Sequence, residues 1–183
     1  MAQCIFKYYL IKNSKTSVKL KDIAIMYQPE TISSNSFDDN GPYIVYGSGG
    51  IIGRYTKYNH KDSELMISCR GLCGSVSLSL PYSWIIGNQM IITPHDLKVK
   101  YYLYNFLKLV NLKTIETGSV QKQITRTNLE NLNIEIIEDK KLIELNESLS
   151  AIYQNIIFIS NVNSKLNEIK KILLPLLINS QLV

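Results

Sequence analysis

The chain has 183 residues, of which 45% are hydrophobic and 19% charged, so it is long enough for a folded domain and too apolar to be intrinsically disordered. Its three cysteines are an odd number, which argues against a disulfide framework and favours a reducing compartment. No apolar run approaches the ~20 residues of a membrane span, and residues 1–10 do not resemble a signal peptide, so we expect a cytoplasmic protein.

The net charge of +5 is unevenly distributed. Residues 1–135 contain 15 Lys and Arg against 10 Asp and Glu, whereas residues 136–183 contain 5 against 5, so the whole excess (15 − 10 = +5) precedes residue 136. Eleven of the twelve tyrosines also precede it. A basic, tyrosine-rich region favours a polyanion-binding surface, and a balanced C-terminal segment favours protein–protein packing. Many basic proteins bind no nucleic acid, so the charge alone does not decide the function.

The N-terminal segment, residues 1–18, is expected to be peripheral. Residues 1–18 are expected to hold a short strand around Cys4-Ile5-Phe6 and Tyr8-Tyr9. Residues 18–24 predict a short amphipathic helix with Leu20, Ile23 and Ala24 on one face. The polar residues 28–41 predict a loop.

The middle of the chain predicts many short strands separated by glycine turns. We expect strands at residues 42–46, 51–55, 64–69 and 73–78, a strand pair within 84–93 around Gly87-Asn88, and a last strand at 134–137. Residues 96–112 predict a mostly buried helix, and residues 127–132 a single helical turn capped by Thr127 or Asn128. These features indicate an α+β fold: a wrapped, double-β-helix-like domain of residues 1–137, then a helical segment of residues 138–183.

The last forty-odd residues, about 139–177, predict one long helix with a seam of apolar residues at alternating steps of three and four. This heptad seam consists of Leu142, Leu145, Leu149, Ile152, Ile156, Ile159, Leu166 and Leu173, with Asn163 and Lys170 at its polar positions. A seam that repeats every ~3.5 residues is typical of a coiled coil. The helix would span roughly 50 Å before Pro175 disturbs it, at ~1.5 Å per residue.

The heptad seam needs a partner helix, and the sequence predicts no second helix of comparable length. We therefore expect the partner to be another copy of the chain, with Asn163 fixing the register. The alternative is that the helix packs back on its own domain, and that Asn163 marks where the apolar stripe meets water.

Motifs for catalysis are missing from the sequence. No glycine-rich loop ends in Gly-Lys-Ser/Thr, and no Asn/Asp-Pro-Pro-aromatic tetrapeptide of a nucleobase methyltransferase is present. Cys69 and Cys73 lie four apart, but His60 and His95 are expected to be solvated loop residues, so four zinc ligands are not assembled. We predict no catalytic residues, no cofactor and no metal.

Five segments in order resemble the target recognition domain and helical spacer of type I restriction–modification specificity subunits. These are Tyr43-Ile44-Val45-Tyr46-Gly47-Ser48-Gly49-Gly50-Ile51-Ile52-Gly53, Ile67-Ser68-Cys69-Arg70-Gly71-Leu72-Cys73-Gly74-Ser75-Val76, Tyr101-Tyr102-Leu103-Tyr104-Asn105-Phe106-Leu107, Thr117-Gly118-Ser119-Val120-Gln121-Lys122-Gln123-Ile124 with Leu129-Glu130-Asn131-Leu132-Asn133-Ile134, and Leu166 to Leu177. Each segment alone is a weak match to the family, but five matches in the family's order are a specific signal. The likeness covers residues 18 to 180.

The resemblance implies a half-subunit, because full-length specificity subunits have two recognition domains and two antiparallel spacer helices. It implies a non-catalytic protein that binds double-stranded DNA and docks methyltransferase subunits, with or without restriction subunits. Two copies would form a homodimer through the heptad seam, namely Leu142, Leu145, Leu149, Ile152, Ile156, Ile159, Asn163, Leu166 and Leu173. They would read a bipartite palindrome with a nonspecific gap.

Candidate DNA contacts divide into two groups. Lys57, Lys61, Lys122 and Arg126 are candidates to hold phosphates, and Tyr46, Ser48, Arg54, Tyr55, Arg70, Gln121 and Gln123 to read base edges. Arg suits guanine and Gln suits adenine in the major groove. Each residue has a structural alternative, such as bracing a turn or covering the core. The rival functions are a coiled-coil decoy that binds methyltransferase subunits without reading DNA, and a recognition domain separated from a fused restriction enzyme.

Overall fold

A computed structural model describes residues 1–13 and 15–179; Ser14 and residues 180–183, the last four of the predicted helical segment, lie outside the described residues. The helices are α1 (Ala2–Lys12), α2 (Leu20–Ile23), α3 (Lys100–Leu109), α4 (Arg126–Glu130) and α5 (Asp139–Ile178). The strands are β1 (Lys15–Lys19), β2 (Ala24–Tyr27), β3 (Tyr43–Gly47), β4 (Gly50–Tyr55), β5 (Leu65–Ser68), β6 (Val76–Leu78), β7 (Ser83–Ile85), β8 (Gln89–Pro94) and β9 (Asn133–Ile137). The predicted α+β class with a long C-terminal helix is confirmed.

The largest sheet has the strand order β2-β8-β5-β6, and all its pairs are antiparallel. Its strand β5 is apolar at consecutive positions because both faces of the sheet are covered. Leu65 and Ile67 lie in the main core with the helices, whereas Met66 lies in a second, smaller core with Tyr46 and Ile85. Alternation along one strand therefore separates the two cores.

The second core is closed by a three-stranded sheet of order β4-β3-β7. Strands β3 and β4 form an antiparallel hairpin, and β7 pairs with β3 in parallel. A β-bulge lies between Val45 and Tyr46, and both residues are buried. A third sheet pairs β1 with β9 and so ties the start of the domain to the strand that leads into α5.

The first four turns of α5 belong to the main core and are joined to α3 by polar contacts. The amide oxygen of Asn146 accepts hydrogen bonds from the backbone N–H groups of Tyr101 and Tyr102, at 3.0 and 3.3 Å. It thereby satisfies donors of the first turn of α3 that no side chain of α3 itself caps. The buried hydroxyl of Tyr153 donates to Oδ1 of Asn105 at 3.0 Å. The core therefore continues past the boundary predicted at residue 137.

This packing corrects part of the predicted dimer interface. Leu142, Leu145 and Leu149 are buried in the chain's own core, so these three residues are not free to meet a second copy. A heptad pattern predicts that its apolar residues are buried but not by which partner, and here the chain's own domain buries them. Ile152 is half-buried.

The distal half of α5, residues 156–178, extends beyond the core and exposes the rest of the heptad seam. Ile156, Ile159, Leu166 and Leu173 are exposed, as is Asn163. Pro175 lies inside α5, which continues to Ile178. No helix among residues 1–13 and 15–179 is both long and apolar enough to cross a membrane.

Four local predictions are wrong. Residues 2–12 form a helix rather than a strand, and the side chain of Phe6 is fully buried. The helix predicted over 18–24 is reduced to α2, because β1 ends at Lys19 and β2 begins at Ala24. The cap of α4 is Thr125, whose hydroxyl accepts from the N–H of Asn128. Strands β7 and β8 do not pair with each other but belong to different sheets.

Candidate nucleic-acid interface

The turn between β3 and β4 is held in place by the buried side-chain amide of Gln89. The Gln89 side chain, at the start of β8, donates from Nε2 to the carbonyl oxygen of Gly47 at 2.6 Å. Gly50 has φ +103°, which lets the chain reverse tightly. Ser48 is half-buried and Gly49 exposed at the tip. The hairpin therefore presents a short turn of fixed position.

The loop of residues 69–74 lies directly against this turn. Gly71 has φ +76°, and a Cβ atom there would lie 2.8 Å from Oγ of Ser48. Only glycine allows the two loops to approach so closely. The Ser68 hydroxyl donates to the carbonyl oxygen of Arg70 at 3.1 Å, and the Arg70 side chain is exposed.

A third loop, residues 117–123, is tied to the second. Thr117 and Gln123 exchange two backbone hydrogen bonds of 2.8 Å and close the loop at its base. The N–H of Ile124 donates to the carbonyl oxygen of Cys69 at 3.0 Å, and the Cys73 thiol donates to that of Lys122 at 3.2 Å. The loop tip projects into solvent.

We call these three segments, residues 47–50, 69–74 and 117–123, the loop face. The loop face brings together five of the predicted DNA contacts, namely Ser48, Arg70, Gln121, Lys122 and Gln123. Lys122 pairs with the largely covered carboxylate of Glu116 at 3.5 Å, while the Lys122 side chain itself remains 70% exposed. The face thus combines guanidinium, ammonium, amide and hydroxyl groups on loops held by backbone hydrogen bonds.

Three other predicted contacts lie at the opposite end of β4. Tyr55, Lys57 and Lys61 flank that end, roughly 17 Å from the turn at ~3.3 Å per residue. Near them the rings of Tyr43, Tyr58 and Tyr82 form two edge-to-face contacts, at 5.0 and 5.2 Å between centroids. We call this second cluster, Tyr43, Tyr55, Lys57, Tyr58, Lys61 and Tyr82, the distal patch. The candidates therefore do not form one surface.

The remaining three candidates are engaged within the protein. Tyr46 is buried in the second core, and its hydroxyl accepts from the N–H of Leu80 at 3.1 Å, so it is not placed to read a base. Arg54 is half-buried and donates to the carbonyl oxygens of Gly41 and Pro42, which makes it a brace. Arg126 is exposed, and its Nε donates to Glu130 on α4 at 2.8 Å.

His60 is buried rather than solvated, which corrects the prediction. The Asn59 amide oxygen accepts from the N–H of Ile85 at 2.9 Å and from Nδ1 of His60 at 2.6 Å, so Nδ1 carries the proton. Nε2 then accepts from the Tyr27 hydroxyl at 3.0 Å. Burial lowers the pKa of His60 below its ordinary value. The histidine fixes the loop that carries Lys57 and Lys61.

The two neighbouring cysteines contact backbone carbonyl groups. Burial, chiefly, raises the pKa of Cys69 to about 12, which keeps this thiol protonated and unreactive. The Cys73 thiol lies 3.2 Å from the carbonyl oxygens of Cys69 and Lys122. Among the described residues, no group of three or more His, Cys, Asp and Glu side chains could hold a metal ion.

The sequence comparison identifies the family. A family model described as the type I restriction modification DNA specificity domain matches residues 12–172. The chain belongs to this family of type I DNA specificity subunits. The resemblance predicted from the five ordered segments is confirmed. Comparison with curated proteins gave no match.

Solved structures of specificity subunits share this fold. The S subunit of a type I restriction-modification system from M. genitalium matches with a TM-score of 0.69 and 17% identity, over 86% of this chain and 44% of that one. The HsdS subunit from Thermoanaerobacter tengcongensis matches with a TM-score of 0.53 and 15% identity, over 96% and 49%. A structure concerned with complex assembly and conformational transition of the type I R-M system matches with a TM-score of 0.61 and 14% identity, over 93% and 48%. This specificity chain therefore spans about half the length of each of those chains.

Sequence reasoning missed two kinds of residue in this specificity chain. Gln89 holds the hairpin turn, and the sequence feature that points to this role is a single amide residue at the start of an apolar strand. The contact between Tyr58 and Tyr82 does not follow from the sequence, because no periodic pattern connects them along the chain. Tyr82 has φ +53°, which is an unusual backbone conformation for a tyrosine. No local sequence motif predicts this conformation.

Proposed function

We propose that the chain is the DNA sequence-specificity subunit of a type I restriction–modification system and that each copy reads one half-site through the loop face. The observation that carries this proposal is that the loops of Ser48, Arg70 and the 121–123 segment lie side by side: Gly71 approaches Ser48 closely, and hydrogen bonds join the second loop to the third. Residues 1–137 would supply the reading domain and residues 138–183 the spacer. Methylation would be the task of a partner subunit, with no catalytic residue or cofactor from this chain.

Within the loop face, the side chains suit different parts of DNA. Arg70 presents a guanidinium group that matches the acceptors of guanine, and the amides of Gln121 and Gln123 match adenine. Lys122 suits a phosphate, because an ammonium group recognises charge without a fixed geometry. Ser48, in the hairpin turn, suits either.

The distal half of α5 supports a homodimer. Ile159 and Leu166 are 55% and 56% exposed at heptad positions on a surface helix, where apolar side chains gain most from a second helix. In a parallel, in-register pair each Lys170 would face its own copy, and two ammonium groups would repel each other within the seam. An antiparallel pair avoids this repulsion. We infer an antiparallel dimer of the distal halves.

An antiparallel dimer has a two-fold axis across the paired helices, and the two loop faces are related by it. Each face would read the same sequence on opposite strands. The target would then be two identical, inverted half-sites separated by a gap of fixed length. DNA in the gap would contribute no sequence information.

A second exposed apolar stripe on α5 suits a methyltransferase subunit. Phe158, Val162, Ile169 and Ile172 are all exposed, with Lys165 between them in the same register. Each position precedes a seam position by one residue, so this stripe lies about 100° around the helix. A helix with two apolar stripes can contact two partners, and we assign the second stripe to methyltransferase docking.

The proposal is tested by assembling the chain with its methyltransferase and sequencing the modified bases in exposed DNA. We expect methylation at an inverted, bipartite sequence, with salt-sensitive binding. An asymmetric target for a complex in which this is the sole specificity chain would contradict the symmetric dimer. Methyltransferase binding without any sequence preference would favour the decoy function instead.

A further inference from the structure

Arg54 connects the reading domain to the distal half of α5. Its Nε and Nη2 donate to the carbonyl oxygens of Gly41 and Pro42, at 2.5 and 3.1 Å. Nη2 also lies 3.4 Å from Oε1 of Glu168, which is 114 residues later in the chain. The backbone contacts hold the guanidinium group in place, so it presents a fixed positive charge to the helix.

Between the helix and the three-stranded sheet lies an open groove of about 760 Å³. Its sheet side includes Ile44 and Leu80. On its helix side, Ile156 and Ile157 come first along α5, and Ser160, Ser164 and Asn167 follow towards Glu168. Beyond Ile157 the helix therefore faces the sheet across an open gap with polar side chains, and the ion pair lies near the far end of that gap.

A contact at Glu168 controls the angle of α5 effectively because this residue lies far from the core. It lies 15 residues beyond Tyr153, the last buried residue of α5, which is roughly 22 Å along the axis at ~1.5 Å per residue. A lean of about 10° would move Glu168 by roughly 4 Å, which exceeds the ~3.4 Å rise of one base pair. A small change in the helix angle at this contact therefore displaces the distal part of α5 by about the rise of one base pair.

We propose that Arg54 and Glu168 are positioning residues that set the angle between the reading domain and the spacer helix, and thereby the gap length that the complex accepts. The inference rests on the proposed function, because a gap exists only if two copies read two half-sites. The pair leaves the half-site sequence unchanged, because neither residue belongs to the loop face. Arg54 thus acts on specificity without touching a base.

The first test measures methylation of DNA substrates whose half-sites are constant and whose gap is varied one base pair at a time. We expect the wild-type complex to prefer one gap. The variant Glu168→Arg places a second cation against Arg54, and the preference should fall roughly fivefold or move to a neighbouring gap, a change of about 1 kcal/mol. Glu147→Arg, an exposed charge reversal on the same helix, should keep the wild-type gap. An unchanged gap in Glu168→Arg would overturn the proposal.

The second test needs no DNA and keeps the two proposals separate. Spin labels at Thr56→Cys and Lys171→Cys, in protein without Cys4 and Cys73 and diluted with unlabelled copies, report the distance between domain and helix. We expect a narrow distance distribution that broadens in Glu168→Arg and stays narrow in Glu147→Arg. An unchanged distribution in Glu168→Arg would show that the pair does not hold the helix. If no bipartite target is found while the distribution broadens, the proposed DNA function fails and the positioning contact stands.

Discussion

Gly71 is the residue at which one added methyl group should disturb the loop face most. A Cβ atom there would lie 2.8 Å from Oγ of Ser48, and φ +76° disfavours any L side chain. Gly71→Ala should therefore destabilise the protein by about 1–2 kcal/mol. Thermal unfolding measures this, and Ser48→Gly should restore part of the loss. The matched control is Gly49→Ala, where the nearest side-chain atom is 4.0 Å away.

Substitution of Arg70 tests whether DNA binds at the loop face or at the distal patch. If its guanidinium reads a base, Arg70→Ala should lower the affinity for the target by about 1–3 kcal/mol and relax specificity at one position. Lys57→Ala, which removes a cation from the distal patch, should have a smaller effect. Binding assays on target and random DNA at fixed salt measure both. The opposite order of effects would place the DNA on the distal patch.

His60 should make stability depend on pH. Burial lowers its pKa in the folded state, so below about pH 6.5 the unfolded chain binds more protons than the folded one. The free energy of unfolding should therefore fall as the pH is lowered from 6.5, because a protonated Nε2 no longer accepts from Tyr27. Urea titrations over pH 5–8 measure this dependence. His60→Gln should flatten it, and an unchanged slope would exclude His60 as its source.

At the scale of elements, the sequence predicts what local patterns encode and fails where other parts of the chain decide. The strands β3, β4 and β5 follow from β-branched runs bounded by glycine, and the glycine motifs located the loop face. The helix of residues 2–12 does not follow from the sequence, because aromatic and β-branched residues favour strands locally, whereas packing on the core makes these residues helical. Tyr46 was misassigned because the bulge beside it breaks the alternation that would have turned it outward.

The two halves of α5 should respond differently to substitution. Leu145→Ala removes a fully buried side chain and should cost about 2–5 kcal/mol of stability without changing the association of folded protein. Leu166→Asp places a charge in the exposed seam and should abolish dimerisation while the domain stays folded. Thermal unfolding and analytical ultracentrifugation separate the two effects. A dimer that survives Leu166→Asp would place the interface elsewhere.

At the scale of the whole molecule, the described residues form one sheet-rich domain that ends in one long helix, α5, and the chain spans about half the length of the type I restriction-modification structures that share its fold. Two copies held only by the distal halves of α5 would separate on dilution. If each copy reads one half-site, as proposed, recognition of both half-sites should then depend on protein concentration, because an isolated copy would contact one half-site only.

A single chain with two tandem copies should remove this dependence. With a flexible linker of about 30 residues, which spans roughly 30 Å, the second copy binds intramolecularly at high effective concentration. We expect the tandem protein to be monomeric and to direct methylation to the same target as the two-chain complex, at protein concentrations where separate copies no longer do so. Leu166→Asp in both halves is the control, because it keeps the linker and removes the seam. A tandem protein with a different target would show that the native complex does not pair its helices antiparallel through the distal half of α5.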